Sequence, residues 1–421
     1  MFLNERTCMN FIEELQFRNL FKDCSDIDGL KERLNQPITL YCGFDPTADS
    51  LHIGHLQQLL LLKRFALQGH RPIALLGGAT GMIGDPRPTT ERALVSLDVI
   101  AHNVEALEKQ MKTIVGDSSI GFVNNYDWFK DVSVLTFLRD FGKHFNVNYM
   151  ISKDVVASRL ETGISFTEFT YTILQASDWL HLYDHHNCEM QIGGSDQWGN
   201  LTSGIELIRK VKGSDAKVFG LTQPLITKAD GSKFGKSEGK NIWLDPSKTH
   251  PYVFYQYFIN VSDEDVINFI KRLSFKTIDE INEIEVQHLA APHLRTAQKH
   301  LASELTEIVF GKEALEHAIR LSDVYFNQRF EDLSQDELEA VFEDALKVKA
   351  TQSITLIDAL VQSQLATSNR LARDLIAGGS VSVNGIKIDD IHAQINQEEA
   401  YHQAYTIIRK GKKSYILVDF T

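Results

Sequence analysis

Two short segments of the chain carry residues suited to handling a polyphosphate. His52-Ile53-Gly54-His55 falls between a strand pattern and a helical one, so its histidines sit three apart on one face near the helix's positive end. Imidazoles placed there can donate hydrogen bonds to phosphate or ribose oxygens, and Gly54 leaves room for a base or ribose against the backbone. Taken alone, the pair would serve equally well as helix caps. The second segment, KADGSKFGKSEGK, interleaves Lys228, Lys233, Lys236 and Lys240 with Gly231, Gly235 and Gly239. Lysines on a glycine loop can close over phosphates and stabilise the charge that grows on a leaving pyrophosphate. Alone, it would pass for a solvated loop. A third group, Tyr171, Gln175 and Asp178, falls at i, i+4 and i+7 of a helical pattern, a polar stripe flanked by Phe166, Phe169, Ile173 and Leu174. Such a stripe suits a pocket wall, the plain alternative being a solvent face.

These groups need a scaffold, and the hydrophobic pattern supplies one. Ile38 to Phe44 reads as a buried strand, His52 to Gln68 as a helix stopped by Gly69, and Pro72 to Gly78 as a second strand. That βαβ unit implies a parallel sheet with ligands at the strands' carboxyl ends. The alternation continues with helices at Glu91 to Val115, Val132 to Phe141, Phe166 to Leu182 and Asp196 to Val211. Strands are expected at Gly121 to Asn125, Met190 to Gly194 and Val218 to Thr227. A doubly wound α/β domain over 1–247 follows. Helical periodicity alone fills 248–346, and the polar, aperiodic 347–353 reads as a linker. In 354–421 two short helices, Leu356 to Val361 and Asn369 to Ile376, precede Gly378-Gly379. Val381 to Ile388 then forms a hairpin around Asn384-Gly385, making a small α+β domain.

Composition narrows the classes. The 421 residues are 43% hydrophobic and 24% charged, which is globular composition rather than disordered or fibrous. The net charge of −13 leaves no whole-chain basic field for nucleic acid or an anionic membrane, so any anion contact is local. Thr351 to Thr421 carries seven basic and seven acidic residues, so the excess acid lies before it. Cys8, Cys24, Cys42 and Cys188 form no CxxC pair, as expected of free thiols in a reducing compartment. No apolar run approaches the ~18–20 residues that span a bilayer. A soluble cytoplasmic protein, with no membrane partner, is expected.

With HIGH at Ile53, KFGKS at Lys233 to Ser237, Tyr41-Cys42-Gly43-Phe44-Asp45-Pro46-Thr47, Gly84-Asp85-Pro86 and Gly193-Gly194-Ser195-Asp196-Gln197-Trp198-Gly199, the chain resembles the class I aminoacyl-tRNA synthetases, and among them the bacterial tyrosyl-tRNA synthetases. The likeness runs nearly end to end. It implies a Rossmann-type catalytic domain, an α-helical anticodon-side domain and an S4-like RNA-binding tail. By resemblance, Tyr41 and Asp178 hold the phenolic hydroxyl of tyrosine, and Asp85, Tyr171 and Gln175 its ammonium group. Thr47, His52, Lys233, Lys236 and Ser237 contact the departing polyphosphate. His55, Cys42, Gly194 and Asp196 surround the ribose, with Gly54 and Arg92 also in the ATP set, and Asp45 and Gln197 lie around the reacting centre. The resemblance further implies ATP with Mg²⁺ as its counter-ion, no tightly bound cofactor, tRNA(Tyr) as partner and a homodimer. Tyrosyl-tRNA synthetases are themselves the known case of a hydroxyl-binding site rejecting phenylalanine by ~10⁴–10⁵. In one departure, Asp85 to Arg92 looks shortened and lacks the family's lysine; Arg92 matches another basic position and Arg87 stands in for the missing charge.

Other signals are set aside. His181, His185, His186 and Cys188 suggest a metal site, but the helix is expected to end near Asp184, which spoils the spacing. Phe254, Tyr255, Tyr257 and Phe258 read as helix packing. In the tail, Arg370 and Arg373 share a helical face, and Arg409, Lys410, Lys412 and Lys413 form a basic run suited to an RNA backbone. Two rivals are a tryptophanyl-tRNA synthetase, which Tyr41 with Asp178 suits less well, and an RNA-binding protein on a degenerate synthetase fold, which would need neither HIGH nor KFGKS.

Overall fold

Tyr41 lies on the central strand of a five-stranded parallel sheet. The strands are β1 (Thr39–Phe44), β2 (Arg71–Leu76), β3 (Gly121–Asn124), β4 (Cys188–Gly194) and β5 (Phe219–Gln223), in the spatial order β3-β2-β1-β4-β5. The computed structural model describes residues 9–86, 95–231, 234–237, 240–343, 345–411 and 414–421. β1 is buried along nearly its whole length, as a strand covered by helices on both faces must be. The connections run outward one way from β1 to β3 and the other way from β4 to β5. The switch point of the doubly wound sheet therefore lies between the carboxyl ends of β1 and β4.

The chain packs as two compact units: residues up to Thr249 with Phe258–Val309, and His250–Tyr257 with Phe310–Thr421. The helical stretch expected as one module at 248–346 is thus divided between them. In the first unit, helix Ile53–Leu67 follows β1, helix Phe166–His186 starts from a Ser165 cap, and helix Trp198–Lys212 follows β4. Trp179, fully buried, anchors an apolar layer with Tyr41, Ile73, Leu182 and Ile208.

Several boundaries differ from expectation. The Phe166 helix runs on to His186 and ends at Asn187 in the left-handed region (φ 51°), a conformation asparagine tolerates. Phe166 itself is exposed and does not flank a buried stripe. The last parallel strand stops at Gln223, because Pro224 has no N–H to continue the ladder. Instead of one helix at 132–141 there is a short turn, Val134–Thr136, running into a π-helical turn, Phe137–Phe141. Beyond the sheet, β6 (Lys236–Ser237) and β7 (Lys240–Asn241), in the glycine-lysine segment, pair antiparallel as a small hairpin.

The second unit holds β8 (Leu346–Lys349), β9 (Ser353–Thr355), β10 (Val381–Val383), β11 (Ile386–Lys387), β12 (Gln394–Asn396), β13 (Tyr405–Lys410) and β14 (Ser414–Asp419). Five of them form a sheet, β11-β10-β13-β14-β8, under helices Leu356–Gln362 and Asn369–Ala377. Asn384 and Gly385 both take positive φ (45° and 83°), as the expected type I′ turn requires. The expected linker at 347–353 is a correction. Its first part is an edge strand, β8, that pairs parallel with β14 and buries only Val348, so its apolar signal is a single residue. Among the described residues, no helix is long and apolar enough to cross a membrane.

Candidate active site

A cavity of about 360 Å³ opens at the switch point. β1 and the turn after it bring Tyr41, Cys42, Asp45 and Thr47 to its wall. The next helix brings His52 and His55, helix Phe166–His186 brings Tyr171, Gln175 and Asp178, and β4 with its following turn brings Gly194, Asp196 and Gln197. Asp85 completes the set. The stripe expected at i, i+4 and i+7 thus faces a pocket, not solvent.

The two histidines cap the helix and line the cavity at once. His52 Nδ1 accepts from the Gly54 N–H at 3.1 Å, and His55 Nδ1 accepts from the His52 N–H at 3.3 Å, with the rings stacked 3.9 Å apart. A ring nitrogen that accepts is unprotonated, so each ring carries its proton on Nε2, a donor for a ligand oxygen. Burial pushes His55 down to about 3, so it stays neutral. Gly54 is not among the lining residues, and the structure gives it another reason: a Cβ there would lie 2.9 Å from the His52 ring.

The carboxylate of Asp178 is held from behind. Asn125 Nδ2 donates to Oδ2 at 3.1 Å and Trp128 Nε1 donates to Oδ1 at 3.0 Å. Burial pushes this carboxyl well above the usual range, while the two donors oppose that by favouring the ionised form. The Tyr41 phenol shares the cavity and feels the Asp178 charge; burial and that charge raise it, so it remains a neutral donor. Its Oη is buried and has no hydrogen-bond partner among the described residues, and the same holds for Gln175 Oε1 and Gln191 Oε1, both of which line the cavity. Gln58 Oε1, on another lining residue, is a fourth. Unsatisfied buried polar atoms are costly and few, and four of them in one cavity mark places where a ligand's polar atoms belong.

The other end is crowded with acid. Asp45, Asp85 and Asp196 line it there, and no described lining residue is a lysine or arginine. Asp45 accepts from the Tyr171 hydroxyl at 3.0 Å and from Thr80 Oγ1 at 2.9 Å. Asp85 accepts from Gln197 Nε2 at 2.9 Å and from Asn200 Nδ2 at 3.4 Å. Burial, reinforced by Asp45 and Asp196 and opposed by the two amides, raises Asp85 to about 6. A cationic ligand group beside it would relieve both the burial penalty and the mutual repulsion. Cys42 is pushed up to about 12 by burial and stays a thiol.

The HIGH and glycine-lysine segments meet. The Ile53 N–H bonds the Ile242 carbonyl (2.9 Å), the Ile242 N–H bonds the Gly235 carbonyl (3.0 Å), and the Leu244 N–H bonds the Leu51 carbonyl (2.9 Å). Gly235 sits at φ 89°, where a Cβ would fall 2.4 Å from Ile53 Cγ2. Buried Phe234 packs edge-on against Phe269 at 4.8 Å. The lysine hairpin is therefore rooted at the histidine helix.

Some expected residues lie elsewhere. Lys233, Arg87, Arg92, Lys412 and Lys413 fall outside the described residues. Arg370 and Arg373 are exposed on helix Asn369–Ala377. Lys410 donates to the Leu365 carbonyl at 2.9 Å and Arg409 to Gln328 Oε1 at 2.6 Å. Phe254, Tyr255 and Phe258 are buried, as packing requires. Contrary to expectation, the helix does not end near Asp184, and His181 and His185 both lie on it; no group of three or more His, Cys, Asp or Glu among the described residues is placed to hold a metal ion. The sequence reading missed Asn125, Trp128, Gln191 and Asn200. The signal for the first two was Asn124-Asn125-Tyr126-Asp127-Trp128 at a strand's carboxyl end, where such folds place ligand contacts.

Comparison with known proteins places the chain in a family. The family model described as tRNA synthetases class I (W and Y) matches residues 32–327, and one for the tyrosine–tRNA ligase SYY-like C-terminal domain matches 337–418. A tyrosine–tRNA ligase 1 of Bacillus cereus is 49% identical over 419 residues, 98% of this chain and all of its own length. A tyrosine–tRNA ligase of Listeria monocytogenes is 50% identical over 418 residues, with the same coverage. Among solved structures, a C-terminally truncated mitochondrial tyrosyl-tRNA synthetase of Aspergillus nidulans aligns with a TM-score of 0.67 at 31% identity, covering 73% of this chain and 92% of that one. A tryptophanyl-tRNA synthetase of Encephalitozoon cuniculi, at 13% identity and a TM-score of 0.54, shares the fold alone, covering 78% of this chain and 90% of that one. Matched from end to end by half-identical relatives and by both domain models, the chain belongs to the tyrosine–tRNA ligase family of class I aminoacyl-tRNA synthetases.

Proposed function

We propose that this chain works as a tyrosine–tRNA ligase through the switch-point cavity, activating L-tyrosine with ATP and passing the tyrosyl group to tRNA(Tyr). The observation that carries the reading is the partnerless, buried Tyr41 Oη in a cavity shared with Asp178. A substrate hydroxyl accepts from Tyr41 and donates to Asp178, whereas phenylalanine leaves both unpaired. An indole N–H has a donor for Asp178 but no acceptor for Tyr41, which disfavours tryptophan.

At the other end Asp85, Tyr171 and Gln175 take the ammonium group. The substrate carboxylate, ionised at neutral pH, then attacks the α-phosphorus of ATP. The new O–P bond forms as the bond to pyrophosphate breaks, so no side chain has to move a proton. Catalysis rests on alignment and on charge stabilisation. The Nε2–H groups of His52 and His55, with Thr47, Lys233, Lys236 and Ser237, serve the polyphosphate. Cys42, Gly194 and Asp196 serve the ribose, and Asp45 and Gln197 the reacting centre. Magnesium enters with ATP as the counter-ion of its phosphates. A hydroxyl of the terminal adenosine of tRNA then attacks the acyl carbon, its proton passing to the departing phosphate as the bond to AMP breaks.

The tail, with Arg370 and Arg373 exposed, acts as an S4-like RNA-binding domain that includes β8 and follows the helical region. The exposed apolar side chains Val134, Leu135, Leu138, Val147 and Phe166 support a homodimer. The setting is the cytoplasm, where tRNA is charged for translation. Tyrosine-dependent exchange of pyrophosphate into ATP, without tRNA, tests the function. Exchange with tyrosine and not with tryptophan or phenylalanine is expected; equal exchange with tryptophan would overturn the assignment.

A further inference from the structure

Behind the cavity wall runs a column of aromatic rings that the reaction as described does not use. Trp128, whose indole N–H holds Asp178 Oδ1, stands on a single helical turn, Tyr126–Phe129, none of whose residues is buried. The indole is only partly buried, packed against the edge of the apolar layer around Trp179, which leaves part of its surface to be supported from elsewhere. The support comes from the long helix. His181, three residues after Asp178 and so on the same face, lays its ring over Trp128 with centroids 4.3 Å apart and planes 14° from parallel. His185, four residues further, covers His181 at 4.4 Å and 39°. The rings step outward from Asp178 at the pocket to the exposed His185.

We propose that His181 is a positioning residue for hydroxyl recognition: by stacking on Trp128 it holds the indole N–H on Asp178, and so keeps that carboxylate aimed at the ligand's phenol. Neither His181 nor Trp128 lines the cavity, so the effect is indirect. Asp178 has two donors in this structure, Asn125 and Trp128, each engaging one oxygen. If the indole turns away, Oδ1 loses its partner, the ionised form loses support in a buried site, and the carboxyl becomes a poorer acceptor for the substrate O–H. His181 is suited to the task as an uncharged ring, since burial and the neighbouring His185 and His186 lower it to about 4. Flat offset stacking is a geometry aromatic pairs favour, and an aromatic side chain loses little rotamer freedom in holding it.

The proposal rests on Asp178 being the hydroxyl acceptor, and the test separates the two. Pyrophosphate exchange is measured with tyrosine and with phenylalanine for the wild type, His181→Ala, His181→Phe and Asp178→Asn. His181→Ala is expected to raise KM for tyrosine and to lower the tyrosine-to-phenylalanine ratio of kcat/KM about tenfold, with KM for ATP unchanged, and His181→Phe, which keeps a stacking ring, to restore the ratio. An unchanged ratio in His181→Ala overturns the proposal, as does a failure of His181→Phe to rescue, or a parallel rise in KM for ATP. If Asp178→Asn also keeps the wild-type ratio, it is the Asp178 reading that falls. If Asp178→Asn collapses the ratio and His181→Ala does not, only the role of His181 falls.

Discussion

The raised pKa of Asp85 makes tyrosine binding depend on pH in a way that can be worked out. Buried beside Asp45 and Asp196, this carboxyl titrates at about 6 in the ligand-free protein. Only its ionised form pairs with the substrate ammonium. At pH 7 most molecules are ready, and at pH 5 about one in ten is, so the apparent Kd for tyrosine rises about tenfold over that range. Binding should release close to one proton at pH 5 and about half a proton at pH 6, read by calorimetry in two buffers of different ionisation enthalpy. Asp85→Asn should bind tyrosine weakly and lose the pH dependence. Stability carries the opposite sign. A carboxyl whose pKa is higher folded than unfolded stabilises the fold in its protonated form, and that contribution fades as pH rises from about 4 through about 6. At pH 7 the ligand-free protein therefore carries a penalty of about 3 kcal/mol at this residue, for two units at about 1.4 each. Asp85→Asn should accordingly melt higher than the wild type at pH 7 without ligand, and the difference should vanish toward pH 4. A Kd that stays within twofold between pH 7 and 5, with no proton release, would refute the argument.

Three more outcomes follow from the geometry. Lys236→Ala should slow single-turnover adenylate formation by about 10²–10³, the scale for losing one charge-stabilising contact, while equilibrium binding of tyrosine stays unchanged; a loss confined to tyrosine affinity would remove the hairpin from the chemistry. Gly235→Ala puts a methyl group 2.4 Å from Ile53 Cγ2 at positive φ, so it should cost about 1–3 kcal/mol in a denaturant melt and also slow adenylate formation, because the hairpin is displaced from the histidine helix. Arg370→Ala with Arg373→Ala should raise KM for tRNA in aminoacylation and flatten its salt dependence, leaving pyrophosphate exchange without tRNA at the wild-type rate.

Much of this molecule was legible in one dimension because its signals are local. The period-2 and period-3.6 runs around Ile38, His52 and Pro72 specify a βαβ unit by their own burial needs, and the Asn384-Gly385 turn is set by which residues accept positive φ. HIGH, KFGKS and the Tyr171-Gln175-Asp178 stripe were readable because spacing along a helix or loop already says which side chains share a face. What needed the tertiary structure was everything that depends on residues distant in the chain. That Asn125 and Trp128 hold Asp178 arises only because β3 ends beside the long helix. That Gly54 and Gly235 are glycine for reasons of packing against His52 and Ile53 cannot be seen in a motif, which records the residue and not its neighbour. The edge strand at 346–349 escaped notice because a single buried valine makes no periodic signal and its pairing partner lies some seventy residues on. Local preference wrote the elements and the motifs; the acidity of Asp85, the partnerless Tyr41 hydroxyl and the ring column behind Asp178 exist only once burial has removed water from groups that the chain order keeps apart.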